Sequence, residues 1–198
     1  MHQVLLPVKQ SMLMADGLQY KIIKIFNTLL IIERKNMGKI GTQIIKVDKD
    51  QLIAKLTEAY ADEWLAYYQY WVGAKVAVGM MRPEVVVELL EHATDELRHA
   101  DMVSTRIIQL GGEPILEPKD WYEKSGCGYL TPSNPNTKKL VEQNIEGERC
   151  AIKFYSKLLD FVQGKDLVTE RMVKEILADE VEHEDDLEAV MDDMMTKN

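Results

Sequence analysis

Glu-x-x-His occurs twice in this chain, as Glu96 with His99 in "DELRHA" (95–100) and as Glu180 with His183 in "DEVEHE" (179–184), 84 residues apart. Two of the four histidines fall in this pattern. Positions i and i+3 share one face of a helix, so each copy sets a carboxylate beside an imidazole. If both faces are buried the charges must be answered, because desolvating an ion costs on the order of several kcal/mol. A fold that suits this sequence therefore brings two helices together around a shared counter-charge.

The punctuation of the chain supplies the helices. Gly (11) and Pro (6) are scarce, and the long segments lack strand-like alternation. Asp48 or Asp50 caps a first helix predicted to run to about Met80, and Arg82-Pro83 breaks it. Pro83 suits the first turn of a second helix, which ends at Gly111-Gly112. The segment "EPILEPKDWYEKSGCGYLTPSNPN" (113–136) reads as a crossover with no helical period. A third helix starts near Pro135 or Asn136 and stops at Gly164, and Asp166 caps a fourth that runs almost to the C-terminus. Two short turns and one long crossover between the second and third helices predict an all-α four-helix bundle.

Apolar stripes decide which polar residues point inward. On the first helix Leu52, Leu56, Ala59, Glu63, Tyr67, Tyr70, Ala74 and Ala77 recur every three or four residues, which draws Glu63 into the buried face. The second stripe is Val85, Leu89, His92, Glu96, His99, Val103 and Leu110; the fourth is Val173, Ile176, Glu180, His183, Leu187 and Val190. On the third helix the apolar face is Val141, Ile145, Glu148, Ile152, Tyr155, Leu159 and Val162. Glu148 is thus the inward carboxylate there, with Glu146 as the exposed alternative if the helix is rotated. The spacings close on each other: Glu63 to Glu96 is 33 residues and Glu148 to Glu180 is 32, while Glu63 to Glu148 is 85 and His99 to His183 is 84. Tyr70 and Tyr155 each follow their own helix's glutamate by seven residues. The pattern is that of a two-fold site.

Four carboxylates and two imidazoles aimed into one core are balanced by two divalent cations. A carboxylate-rich set with one imidazole per metal suits iron or manganese better than thiol-seeking metals. His92 lies on the same stripe and reads as a core histidine beside the ligands rather than a ligand. The "YYQYW" run (67–71) reads mostly as core packing, with Tyr70 and Tyr155 in register to hydrogen-bond the carboxylates or pass an electron.

Composition narrows the rest. With 46% apolar and 29% charged residues in 198, the chain is globular: one domain, or a domain with a tail. Residues 1–36 hold five basic and two acidic side chains (+3), leaving 19 basic and 31 acidic (−12) for residues 37–198. An acidic body opposes binding to nucleic acid or anionic lipid and attracts cations, so neither a nucleic acid nor a membrane is expected as partner. Within the first 36 residues, "IIKIFNTLLII" (22–32) is interrupted by Lys24 and Asn27, too short to span a bilayer and a poor secretory signal. We expect a poorly structured extension over 1–36, upstream of a functional start at Met37 and a domain over 37–198; an interfacial helix is the alternative. Cys127 and Cys150 are the chain's two cysteines and form no CxxC, which excludes a disulfide-rich secreted scaffold and a Cys-based zinc site and leaves a reducing cytoplasm as the default.

The set Glu63, Glu96-x-x-His99, Glu148, Glu180-x-x-His183 resembles the di-iron site of bacterioferritins and rubrerythrins, over residues 48–195. More narrowly, "GERCAIKFY" on the third helix and "SGCGYL" in the crossover resemble the DPS-like proteins called thioferritins. The resemblance implies a ferritin-like bundle whose six residues bind two iron ions per subunit. It implies oxidation of Fe(II) by hydrogen peroxide or dioxygen, storage of Fe(III) as an antioxidant system, and a homo-oligomeric cage of about twelve subunits. Glu96 and Glu180 would be the bridging carboxylates, with Glu63 and Glu148 capping one metal each. Leu97 stands where haem-binding bacterioferritins have Met, so no haem is expected; Ala151 replaces a further rubrerythrin Glu. Two other readings stand beside this one: a manganese catalase or rubrerythrin-like peroxidase, and a helical structural oligomer with protonated carboxylates. Cys127 and Cys150 are by default free thiols. If the crossover folds over the third helix they come within disulfide reach, and the resemblance points to a redox role for the pair.

Overall fold

The computed structural model describes residues 38–196; the expectations for residues 1–36 lie outside them. Four long helices carry the fold: α1 Lys49–Val76, α2 Arg82–Gln109, α3 Thr137–Val162 and α4 Leu167–Thr196. Asp48 caps α1 by accepting the Gln51 N–H at 2.8 Å, and Asn136 caps α3 by accepting the Lys138 N–H at 3.1 Å. Pro83 sits in the first turn of α2, where its missing N–H costs nothing. Asp166 accepts the N–H groups of Val168 and Thr169 ahead of α4, and its other oxygen pairs with Arg106 Nη2 at 2.7 Å, pinning the end of α2 to the start of α4.

Helix α1 stops at Val76, short of the expected Met80. Val78 instead forms an isolated parallel bridge with Asn136, donating to Pro135 O at 2.8 Å and accepting from Thr137 N at 2.9 Å. Gly79 has φ +121°, and a Cβ there would stand 3.1 Å from Thr137 Oγ1. The α1–α2 turn thus needs a glycine to let the start of α3 approach so closely. This contact also fixes the topology. The crossover travels from the far end of α2 back to the α1–α2 turn before α3 begins, so α3 runs parallel to α2.

The crossover is more ordered than its lack of period suggested. Pro118–Asp120 forms a 3-10 turn and Trp121–Lys124 one helical turn. Trp121 stacks on Trp64 of α1 with centroids 5.0 Å apart. Asp62 accepts hydrogen bonds from the Ser125 hydroxyl and from Cys127 N, while Gln69 accepts from Leu130 N at 2.8 Å. Cys127 is joined to Cys150 of α3 by a disulfide, with Cα atoms 5.8 Å apart.

Helices α1 and α2 pack as one pair and α3 and α4 as another. The interior has two apolar cores. One gathers Leu52, Leu56, Ile107, Leu158, Val162, Val173 and Ile176; the other gathers Tyr70, Leu89, Leu140, Val141 and Leu187. Each fully buried large aliphatic side chain contributes about 1.5–3 kcal/mol, and both cores are needed because a charged layer lies between them. Tyr67, Ile152, Leu159 and Val190 from the expected stripes are half-buried. Among the described residues no helix is long and apolar enough to cross a membrane.

Candidate metal centre

Glu63, Glu96, His99, Glu148, Glu180 and His183 all lie in that middle layer, none more than 3% exposed. Their donor atoms fall into two interlocked groups, Glu63–Glu96–His99–Glu180 and Glu96–Glu148–Glu180–His183, each with its atoms within 4.8 Å of one another. In the first, His99 Nδ1 is 3.5 Å from Glu63 Oε2, 3.5 Å from Glu96 Oε2 and 3.3 Å from Glu180 Oε1. In the second, His183 Nδ1 is 3.7 Å from Glu96 Oε1, 3.9 Å from Glu148 Oε2 and 3.5 Å from Glu180 Oε2. Glu96 and Glu180 each turn one oxygen toward each half. Glu63 and Glu148 serve one half apiece.

The surroundings repeat the two-fold relation. Tyr155 of α3 donates its hydroxyl to Glu63 Oε1 of α1, and Tyr70 of α1 donates to Glu148 Oε1 of α3. Each terminal glutamate is thereby held by one oxygen with the other free to face the centre. The histidines are braced from outside. His99 Nε2 lies 3.0 Å from Asp179 Oδ2, and His183 Nε2 lies 3.6 Å from Asp95 Oδ2. Arg98 holds both aspartates, at 2.6 Å from Asp179 and 3.2 Å from Asp95. An acid on Nε2 orients the ring and leaves Nδ1 aimed inward, where it could donate to a metal. Sequence reasoning passed over Asp95 and Asp179, although each stands directly before the Glu in a repeated hexapeptide, and each braces the histidine of the other copy.

The donor set fits cations. Glu148 Oε2, both Glu180 oxygens, His99 Nδ1 and His183 Nδ1 are buried without a hydrogen-bond partner, and all face the centre. Such atoms are costly to leave unanswered. The electrostatics without cations tell the same story. Burial, and then the charge of Glu180, push the Glu96 and Glu148 carboxyls well above the usual carboxylate range. Burial opposes ionisation of Glu180 too, but His183 and His99 beside it bring it down to about 2. For His99 burial disfavours the charged ring, yet Glu180, Glu63 and Glu96 outweigh it and raise its pKa; His183 is raised in the same way, chiefly by Glu180.

Glu146 points away, exposed and 3.1 Å from Arg149. His92 is buried, stacks on His183 with centroids 4.0 Å apart, and is kept unprotonated by burial and by His183, its pKa falling to about 3. Leu97 is exposed on the outer face of α2. The Cys127–Cys150 disulfide sits in the wall of a cavity that also touches Glu63, Glu96 and Glu148.

A family model for the ferritin-like domain matches residues 53–196. The DNA protection during starvation protein of Pyrococcus furiosus is 32% identical over 141 residues, 70% of this chain and 75% of that one. The bacterioferritin of Rhodobacter capsulatus is 27% identical over 139 residues, 70% and 81% of the two chains. Among solved structures, a dodecameric thioferritin, the bacterioferritin-related protein of Bacteroides fragilis, superposes with a TM-score of 0.79 at 44% identity, over 80% of this chain and 96% of that chain. Dps from Thermosynechococcus elongatus, 16% identical with a TM-score of 0.69 over 77% and 94% of the chains, shares the fold.

Proposed function

The chain belongs to the ferritin-like domain family, Dps-like in character, and on that premise we propose that it oxidises Fe(II) at an intra-subunit two-metal site and stores the product in a cage of its own copies. The observation that carries this reading is the sharing of Glu96 and Glu180 between two ligand groups, each completed by one Glu and one His. Two ferrous ions bound there each give up one electron to hydrogen peroxide, whose O–O bond breaks; two protons complete two waters. Dioxygen is the alternative oxidant.

The protein's part is to bind, orient and shield. Glu96 and Glu180 hold the two ions at a common spacing, Glu63 and Glu148 cap them, and Tyr155 and Tyr70 keep those caps from rotating away. Asp179 and Asp95 fix the imidazoles. The apolar cores lie on either side of the charged layer, and a cavity walled by the disulfide reaches Glu63, Glu96 and Glu148. When reduced, Cys127 and Cys150 supply two electrons and two protons to peroxide, forming the S–S bond and two waters. The likeness to a dodecameric thioferritin supports a cage of twelve subunits; the thiol role and a cytoplasmic setting belong to the same proposal.

Anaerobic Fe(II) titration, followed by peroxide or air added separately, tests the reading. Binding should saturate the shared site at two Fe(II) per subunit, with one peroxide consumed for every two Fe(II). Retention of manganese with peroxide disproportionation would favour the catalase reading instead. Absence of metal binding would leave only a structural oligomer.

A further inference from the structure

The ligand ladder does not end at the six residues. On α2 His92 lies four residues before Glu96 and Glu88 four before His92; on α4 Asp186 lies three after His183. Glu88, His92 and Asp186 form a third group with donor atoms within 4.8 Å of one another. His92 Nε2 is 3.3 Å from Glu88 Oε1 and 3.9 Å from Asp186 Oδ2. The imidazole is only 2% exposed and neither ring nitrogen has a hydrogen-bond partner. A buried imidazole with both nitrogens unanswered, one of them facing two carboxylates, lacks a partner that the protein itself does not supply.

The two acids reach solvent: the Glu88 side chain is 25% exposed and that of Asp186 48%. His92 also belongs to an inner group with Glu148 and His183, again within 4.8 Å. One ring therefore belongs to an outer set open to water and to an inner set that shares Glu148 and His183 with the second ligand group. Two carboxylates with a neutral imidazole offer two negative charges and mixed oxygen and nitrogen donors, the complement of one divalent first-row cation.

We propose that Glu88, His92 and Asp186 bind a third divalent cation and form the staging site through which ions exchange between solvent and the His183 half of the centre. Only the destination of the ion, not its binding, rests on the six-ligand reading.

Cobalt(II) is the probe, since it binds such donors and reports them by visible absorption. It would be added without air to the full chain as wild type, Glu88→Gln/Asp186→Asn, and Glu63→Gln/Glu148→Gln, with bound metal counted by equilibrium dialysis. The first variant, altered only at solvent-reaching positions, should bind one cobalt per subunit fewer than wild type and fill the remaining positions several-fold more slowly in stopped flow. His92→Gln, where it folds, should show the same missing ion. An unchanged count in Glu88→Gln/Asp186→Asn would overturn the proposal. Failure of the two-metal reading would show separately, as an unchanged count in Glu63→Gln/Glu148→Gln.

Discussion

At the scale of single residues, two carboxylates two positions apart on α3 have opposite fates. Glu148 is buried with a free oxygen facing His183, whereas Glu146 is exposed in an ion pair with Arg149. Glu148→Ala should therefore remove rapid Fe(II) oxidation, while Glu146→Ala keeps the wild-type rate and shifts stability by no more than about 0.5 kcal/mol. Stopped-flow oxidation traces distinguish them, and the reverse result would mean that α3 is rotated. Glu96→Ala and Glu180→Ala should each be inactive, since either removes a carboxylate shared by both halves. The inward set was legible because a stripe of period 3.6 reports burial directly. The braces Asp95 and Asp179 were not, because they lie about 100° round the helix from their neighbouring glutamates and meet a histidine only across the interhelical register. Asp179→Asn should weaken cobalt binding 10–100-fold with little change in melting temperature. Unchanged affinity would reduce Asp179 to a surface partner of Arg98.

At the scale of elements, four helices and their order could be read from caps and stripes, and the misplaced end of α1 shows where that reading fails. Val78 prefers a partner 58 residues away to one more helical turn, a choice set by where α3 begins. The crossover was illegible for the same reason: Trp121 on Trp64, and Asp62 under Ser125 and Cys127, are tertiary contacts without period. Its disulfide closes a segment with a sequence separation of 23. By chain entropy that link is worth about 3 kcal/mol, so reduction should lower the denaturant midpoint and, by loosening the denatured state, slightly steepen the slope. In the reduced protein a stoichiometric peroxide pulse should remove two thiols together, and reductant should restore them. In Cys150→Ser the remaining thiol should persist through the same pulse. Loss of one thiol without the other in wild type would contradict a paired role.

At the scale of the whole molecule, residues 37–198 carry −12, and the buried layer concentrates that acidity where water cannot answer it. Without cations the layer is held by protons, which makes its stability depend on pH with a definite sign. Glu96 and Glu148 have folded pKa values above the ordinary 4.5, through burial first and the charge of Glu180 next. Their contribution is complete below pH 4.5 and is lost as pH rises through the raised values. His99 and His183 are raised above 6.5 because neighbouring carboxylates outweigh burial, so theirs too fades as pH rises through the folded values. Glu180, lowered to about 2 by the two histidines against burial, acts oppositely, and its contribution is lost only as pH falls from 4.5 toward 2. Between pH 5.5 and 8 four groups thus point one way and Glu180 is already ionised. On the proposed two-metal reading divalent cations replace those protons, and a ligand that binds only the folded state raises the melting temperature. The difference between cobalt-loaded and chelator-treated protein should therefore widen steadily from pH 5.5 to 8 by calorimetry. In Glu96→Gln/Glu148→Gln it should be small and flat. A constant difference in wild type would place the stabilising ions on exposed carboxylates, which are ionised throughout this range, and not in the buried layer.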